Sequence, residues 1–250
     1  MKKILYLLAT LAGVAFSAQA ATYVWTNGTG NNTWRDPGNW NLNNGYFPQS
    51  NSDSAIIGDN AGTINVTAGS YYFTMNSLTV GSGSTVNLTA MADAWVNTIN
   101  LSGKITCGNN DVGWKSNQVI NYGAITGNNV IDFSPGRVWA QDNTLTMNGL
   151  LTLTSESAAT YDLFTYGSLN GGLSFNTDGI KVISATQLGT ELTQAAFNTS
   201  YDNLQEGQYA VIQQNNKVQV IYKDFTVPEP ASITLGILGL AGLAMRRRRA

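Results

Sequence analysis

The residue types that could do chemistry gather near the C-terminal end, where Val227-Pro228-Glu229-Pro230 precedes an apolar run from Ala231 to Met245, then Arg246, Arg247, Arg248, Arg249 and Ala250. Two prolines flanking a carboxylate stop any regular element, because each fixes φ, lacks an amide donor and restricts the residue before it. The segment is therefore expected to be extended and accessible. A second group lies near the other end, where Trp25, Trp34 and Trp40 sit among Gly, Asn and Asp. Tryptophans on loops can contact a glycan by stacking on its sugar rings, and bulky aromatics can equally cap the end of an exposed β-core. The cap is the preferred reading and glycan contact the alternative.

The remaining chemistry is thin. Asp132 with Asp142, or Asp36 with Asp53, could form the paired carboxylates of glycoside hydrolysis, but Asp at Gly-rich turns is more often a turn former. The chain has no histidine, which removes the commonest general base, the Ser-His and Cys-His pairs and most zinc sites. Cys107 is the single cysteine, so no intrachain disulfide can form, and it reads as a small buried hydrophobe. Arg137, Lys104 and Lys115 are too scattered to complete a lyase-like site. The Gly-x-Gly fragments mark turns rather than phosphate loops, and the calcium-binding Gly-Gly-x-Gly-x-Asp repeat is missing. The expectation is no catalytic residue, no cofactor and no metal. Removing two N-terminal lysines and four terminal arginines leaves seven basic residues against fifteen acidic ones, a charge near −8. Such a surface lacks the basic patch that nucleic acid requires.

The N-terminus carries Lys2 and Lys3, an apolar run from Ile4 to Phe16, and the small-x-small site Ala18-Gln19-Ala20. This is a signal peptide handled by the Sec translocon, with cleavage expected between Ala20 and Ala21. At the other end, the fifteen residues 231–245 would span about 22 Å as a helix, short of the ~30 Å hydrocarbon core. The expectation is a short, marginal transmembrane helix, with the arginines cytoplasmic by the positive-inside rule. In order and composition this tail resembles the PEP-CTERM sorting tail of Gram-negative bacteria, over roughly Val227 to Ala250. The resemblance implies an exosortase as partner, with Pro228, Glu229 and Pro230 as recognition residues. It also implies processing nearby and transfer from a transient inner-membrane anchor to the cell surface or extracellular polymer.

These addresses must be carried by the body, residues 21–226. Charged residues are only 11 % of the chain while 43 % are hydrophobic, and low charge without low hydrophobicity argues for a folded body. Short apolar-Asn-apolar triplets recur at Ile64-Asn65-Val66, Val86-Asn87-Leu88, Ile99-Asn100-Leu101 and, ending in tyrosine, Ile120-Asn121-Tyr122. Their period of two predicts half-buried strands with the asparagines on an outer face. Intervals near twenty (Ile64 to Val86, Leu78 to Ile99, Ile105 to Ile125, Ile125 to Leu145) suggest rungs of a right-handed β-solenoid, or parallel β-helix. A β-sandwich is the alternative all-β fold. The segment Asn76 to Gly83 is similar to rungs of autotransporter passenger β-helices, although there is no room for that family's membrane barrel.

Pro37-Gly38 predicts a tight turn, with glycine supplying a positive φ, that brings Trp34 towards Trp40. Thr190 to Phe197 is read as a helical turn or two. Gln208–Gln213 and Lys217–Tyr222 are read as a closing hairpin around Asn215-Asn216. Together these elements point to an exported surface or extracellular-matrix protein with a structural or adhesion role. A carbohydrate-binding module using the N-terminal tryptophans is the alternative, and a polysaccharide-active enzyme is the weakest reading.

Overall fold

The triplets form strands as their period of two demands. In the computed structural model, residues 20–67, 72–89, 92–108, 111–114 and 117–226 are described. The strands are β1 (Thr22–Val24), β2 (Ser54–Ile57), β3 (Gly62–Val66), β4 (Tyr72–Val80), β5 (Ser84–Leu88), β6 (Ala92–Leu101), β7 (Lys104–Cys107) and β8 (Val112–Trp114). They continue with β9 (Gln118–Tyr122), β10 (Ile131–Ala140), β11 (Asn143–Thr152), β12 (Thr160–Asn170), β13 (Leu173–Ile183), β14 (Thr193–Gln194), β15 (Gln208–Gln214) and β16 (Lys217–Lys223). The fold is all-β, and the sixteen strands among the described residues belong to one connected open sheet.

Within that sheet the chain visits three parallel ladders in rotation. The first runs β1, β2, the second half of β4, the second half of β6, β9, β11 and β13. The second runs β3, β5, β7 and the first half of β10, which continues onto β12. The third joins the first halves of β4 and β6 to β8, and β8 to the second half of β10. Asn76 and Asn97, exposed between the two halves of β4 and β6, mark where one strand passes from the third ladder to the first.

Because each register aligns equivalent positions, like side chains stack. Ile64, Val86, Ile105 and Ile131 follow one another across the second ladder. Ile57, Val80, Leu101 and Tyr122 do so across the first. Adjacent strands lie about 4.8 Å apart, so these rows form one continuous core reaching from Tyr23 to Val220. Cys107 lies in the row Val66, Leu88, Cys107 and is 5 % exposed. Burial pushes its thiol up to about 11, as expected of a small core hydrophobe.

Two of the four intervals read from the sequence are registers: Ile64 faces Val86 and Leu78 faces Ile99. The other two are not, since Ile105 faces Ile131 and Leu145 faces Gln118. Ile125 is buried but lies outside every strand. The longer excursion between Tyr122 and Ile131 breaks a count that assumed constant spacing.

The segment 190–197 contains the short strand β14 and no helix. Leu192 N donates to Val182 O at 2.8 Å and Ala195 N to Tyr209 O at 2.7 Å. These sheet partners outweigh an isolated helical turn, whose nucleation is unfavourable. The closing hairpin is present, with β15 and β16 antiparallel and both turn residues, Asn215 and Asn216, left-handed at φ 50° and 60°. Strand β16 also pairs antiparallel with β12 and so ends the second ladder.

Candidate functional site

Trp25, Trp34 and Trp40 come together at the N-terminal end of the core. Trp40 is the hub, with its ring 5.1 Å from Trp25, 4.7 Å from Trp34 and 6.1 Å from Tyr23, all edge-to-face. Trp34 also meets Phe73 at 5.0 Å, tying the cluster to β4. Edge-to-face contact is the geometry that the ring quadrupole favours. The indole N–H of Trp40 donates to Trp34 O at 2.8 Å, and that of Trp34 to Pro48 O at 3.2 Å. The three rings are 8 %, 2 % and 1 % exposed. Stacking on a sugar needs an open ring face, so this packing favours the cap reading of these residues.

The turn that joins them is a short 3-10 helix, Pro37–Asn39, with proline in its first turn. Asp36 caps it, accepting from Gly38 N at 2.9 Å, Thr29 Oγ1 at 2.8 Å and Asn31 Nδ2 at 2.6 Å. The Thr29 bond, followed by the others, holds the Asp36 carboxyl below its ordinary range. Gly38 does not adopt the expected positive φ. Its requirement is space, because a Cβ there would stand 2.7 Å from Thr29 Cγ2. Buried Asn39 completes the turn by accepting from Thr29 N and donating to Asn31 Oδ1 and Thr33 O.

The other candidate carboxylates also serve the backbone. Asp53 accepts from Gln49 N and Ser50 N, and Asp142 occupies a left-handed turn position at φ 44°. Asp132 accepts from Thr165 Oγ1 at 2.7 Å and Ser134 N at 3.1 Å. Burial would raise its pKa, but these bonds outweigh that and hold it low.

The outer asparagines do something that the sequence pattern did not reveal: they bond to one another along the ladders. Asn87 Nδ2 donates to Asn65 Oδ1 at 3.1 Å in the second ladder. Asn121 donates to Asn100 at 3.0 Å and Asn148 to Asn121 at 2.9 Å in the first. The exposed tryptophan ring was also missed. Trp139 is 45 % exposed and carries the Arg137 guanidinium 4.5 Å from its centroid. Arg137 Nη2 donates to Asp111 Oδ2 at 2.5 Å and Trp139 Nε1 to the same oxygen at 3.3 Å. The alternation Arg-Val-Trp, with Val138 fully buried, is the signal that could have turned Trp139 outward.

At the expected signal cleavage site, Ala20 is exposed and Ala21 is half-buried. Ala21 O accepts from Ser54 N at 2.8 Å, so the first sheet contact begins on the mature side of that junction. The signal residues 1–19, and Pro228, Glu229, Pro230, the apolar run 231–245 and Arg246, Arg247, Arg248 and Arg249, lie outside the described residues. Among the described residues no helix is long and apolar enough to cross a membrane.

Comparison with known families finds the PEP-CTERM protein-sorting motif over residues 226–249. The motif implies an exported protein that is processed by an exosortase and sorted towards the cell surface. No curated protein and no solved structure matches the chain.

Proposed function

We propose that this protein is a non-catalytic structural or adhesion component of the cell surface or extracellular matrix, delivered there by exosortase processing of its C-terminal tail. The reading divides the chain into a Sec signal peptide (1–20), a surface-exposed body (21–226) and a sorting tail (227–250). In the tail, Pro228, Glu229 and Pro230 are recognised, residues 231–245 anchor transiently in the inner membrane, and Arg246 to Arg249 stay in the cytoplasm.

For the body, the reading is a right-handed β-solenoid with an aromatic N-terminal cap and a C-terminal hairpin. What carries it is the rotation of the chain through three parallel ladders over one core. Antiparallel sandwich strands would not pair this way, and parallel crossovers are overwhelmingly right-handed. A fold of this kind gives a stiff, elongated spacer whose outer face is lined with amides and hydroxyls, suited to contact with extracellular polysaccharide. Of the carboxylates weighed as acid–base pairs, Asp36, Asp53 and Asp132 accept backbone N–H groups and Asp142 occupies a left-handed position.

The test is to fractionate cells with and without the exosortase and determine the mature C-terminus by intact mass. The expected result is a shortened, surface-associated chain in normal cells and a full-length, membrane-associated one without the enzyme. Full-length protein lodged in the inner membrane of normal cells would overturn the proposal.

A further inference from the structure

The last described residues are clamped to the body. The Asp224 carboxylate accepts from Ser184 Oγ at 2.6 Å, Ala185 N at 2.9 Å and Thr186 N at 3.3 Å. Burial would raise its pKa, but these bonds hold it low. Phe225 O accepts from Thr186 Oγ1 at 2.8 Å, and the Phe225 ring lies so close over Gly207 that a Cβ there would be 2.3 Å away. Glu206 then takes both Thr226 N and, at 2.6 Å, Thr226 Oγ1. The chain is held up to one residue before Val227-Pro228-Glu229-Pro230.

This clamp limits how far the body can stand from a bilayer. From Thr226 to Ala231 there are five residue steps, a reach of at most about 18 Å when fully extended. An apolar run of about 22 Å is also shorter than a ~30 Å hydrocarbon core, and such mismatch draws flanking residues inward. With the tail inserted, the end of the body that bears Thr226 stays within about 18 Å of the apolar run, close enough for its projecting side chains to meet the headgroup layer.

That end carries two of the most exposed large apolar side chains. Leu188 is 91 % exposed and sits in the turn whose first residues hang on Asp224, with Gln187 N bonded to Ser184 Oγ. Tyr201 is 52 % exposed and lies 5.1 Å beneath the ammonium of Lys223, the residue before Asp224. A projecting leucine enters the headgroup boundary favourably, and a tyrosine with an adjacent lysine is the composition of an interfacial anchor.

We propose that this face, Leu188 and Tyr201 flanking the chain exit at Asp224 to Thr226, docks on the periplasmic surface of the inner membrane while the tail is inserted. The sorting motif is thereby presented at the headgroup level in one orientation of the body. The inference rests on the proposed membrane insertion of the tail.

The test uses the full mature chain in a Cys107→Ala background, reconstituted into vesicles of phosphatidylethanolamine and phosphatidylglycerol containing a nitroxide-labelled lipid. A fluorophore is placed at Leu188→Cys, Tyr201→Cys or, as the distal reference in the N-terminal cap region, Tyr46→Cys. The expected result is quenching at 188 and 201 several-fold greater than at 46. Inserting about ten Gly and Ser residues after Thr226 adds up to about 35 Å of reach and should lower quenching at 188 and 201 while the chain still floats with the vesicles. Failure to float overturns the insertion reading itself. A floating chain quenched equally at all three positions, or insensitive to the linker, overturns the docked face.

Discussion

Replacing Trp40 by Ala should loosen one end of the body and leave the other intact. Trp40 is 1 % exposed and touches Tyr23, Trp25 and Trp34, and its N–H satisfies Trp34 O. Truncating a buried tryptophan costs about 3–5 kcal/mol, and burial of ~150–250 Å² at ~25 cal/mol per Å² gives a similar figure. On the proposed solenoid reading each layer contacts only its neighbours, so the loss should act as a local opening of β1, β2, β3 and the residues around Thr33 that bridge to Asn65. Since 1.4 kcal/mol is a factor of ten, amide exchange at Trp25, Trp34 and Ser54 should accelerate by about two to three and a half orders of magnitude. Amides of Phe164, Val218 and Val220 should keep wild-type rates. Hydrogen exchange read by mass spectrometry resolves the two regions. Equal acceleration at both ends would show one cooperative globule and refute the stacked-layer argument. Acceleration below tenfold at the N-terminal end would refute the role of Trp40 as the hub of the cap.

Four further outcomes are expected. Asn121→Ala removes two inter-strand amide bonds and should lower stability by about 1–2 kcal/mol in urea titration, whereas an unchanged midpoint would make the amide ladder ornamental. Cys107, with a folded-state pKa raised from 9.0 to about 11, contributes stability that is full below pH 9 and is lost as pH rises towards 11; Cys107→Ala should flatten that part of the profile, and native protein should resist thiol labelling until unfolded. Trp139→Ala, at an exposed ring, should change stability by less than about 1 kcal/mol, and a glycan array comparing it with Trp34→Ala separates surface recognition from loss of fold. Glu229→Ala in the sorting motif should leave the chain unprocessed by intact mass while the near-ultraviolet circular dichroism of the body stays as in the wild type.

The parts legible in the sequence were those dictated by short-range patterning. Ile64-Asn65-Val66 and its counterparts alternate, so their strand character and buried face follow from the pleat alone. Asn215-Asn216 between two apolar runs identifies its hairpin through the left-handed preference of asparagine. The segment 190–197 was misread because its conformation is decided by Val182 and Tyr209, both remote in sequence or outside the segment. The tryptophans were found but not their state, since clustering by sequence does not say whether ring faces point at each other or at solvent. The tail stands apart, because a processing signal is read as sequence and so is legible as sequence.

The spacing of the ladders explains why the repeat was only half visible. Side chains that bond across neighbouring strands are 23, 22 and 21 residues apart early in the chain, then 27, and finally 30 to 33. No fixed period describes that series, yet the alignment persists through it: Asn121 still meets Asn148 across the longer excursion. What holds the register is therefore the triplet and not the loop length. A slip of one residue would turn Asn100 and Asn121 into the core and expel Ile99 and Ile120. It would bury unpaired amides at about 1–3 kcal/mol each and expose isoleucines worth about 1.5–3 kcal/mol each. Two adjacent triplets thus penalise a slip by several kcal/mol, a large share of a typical domain's stability. Loops are then free to lengthen at the corners, which is where this chain inserts its extra residues.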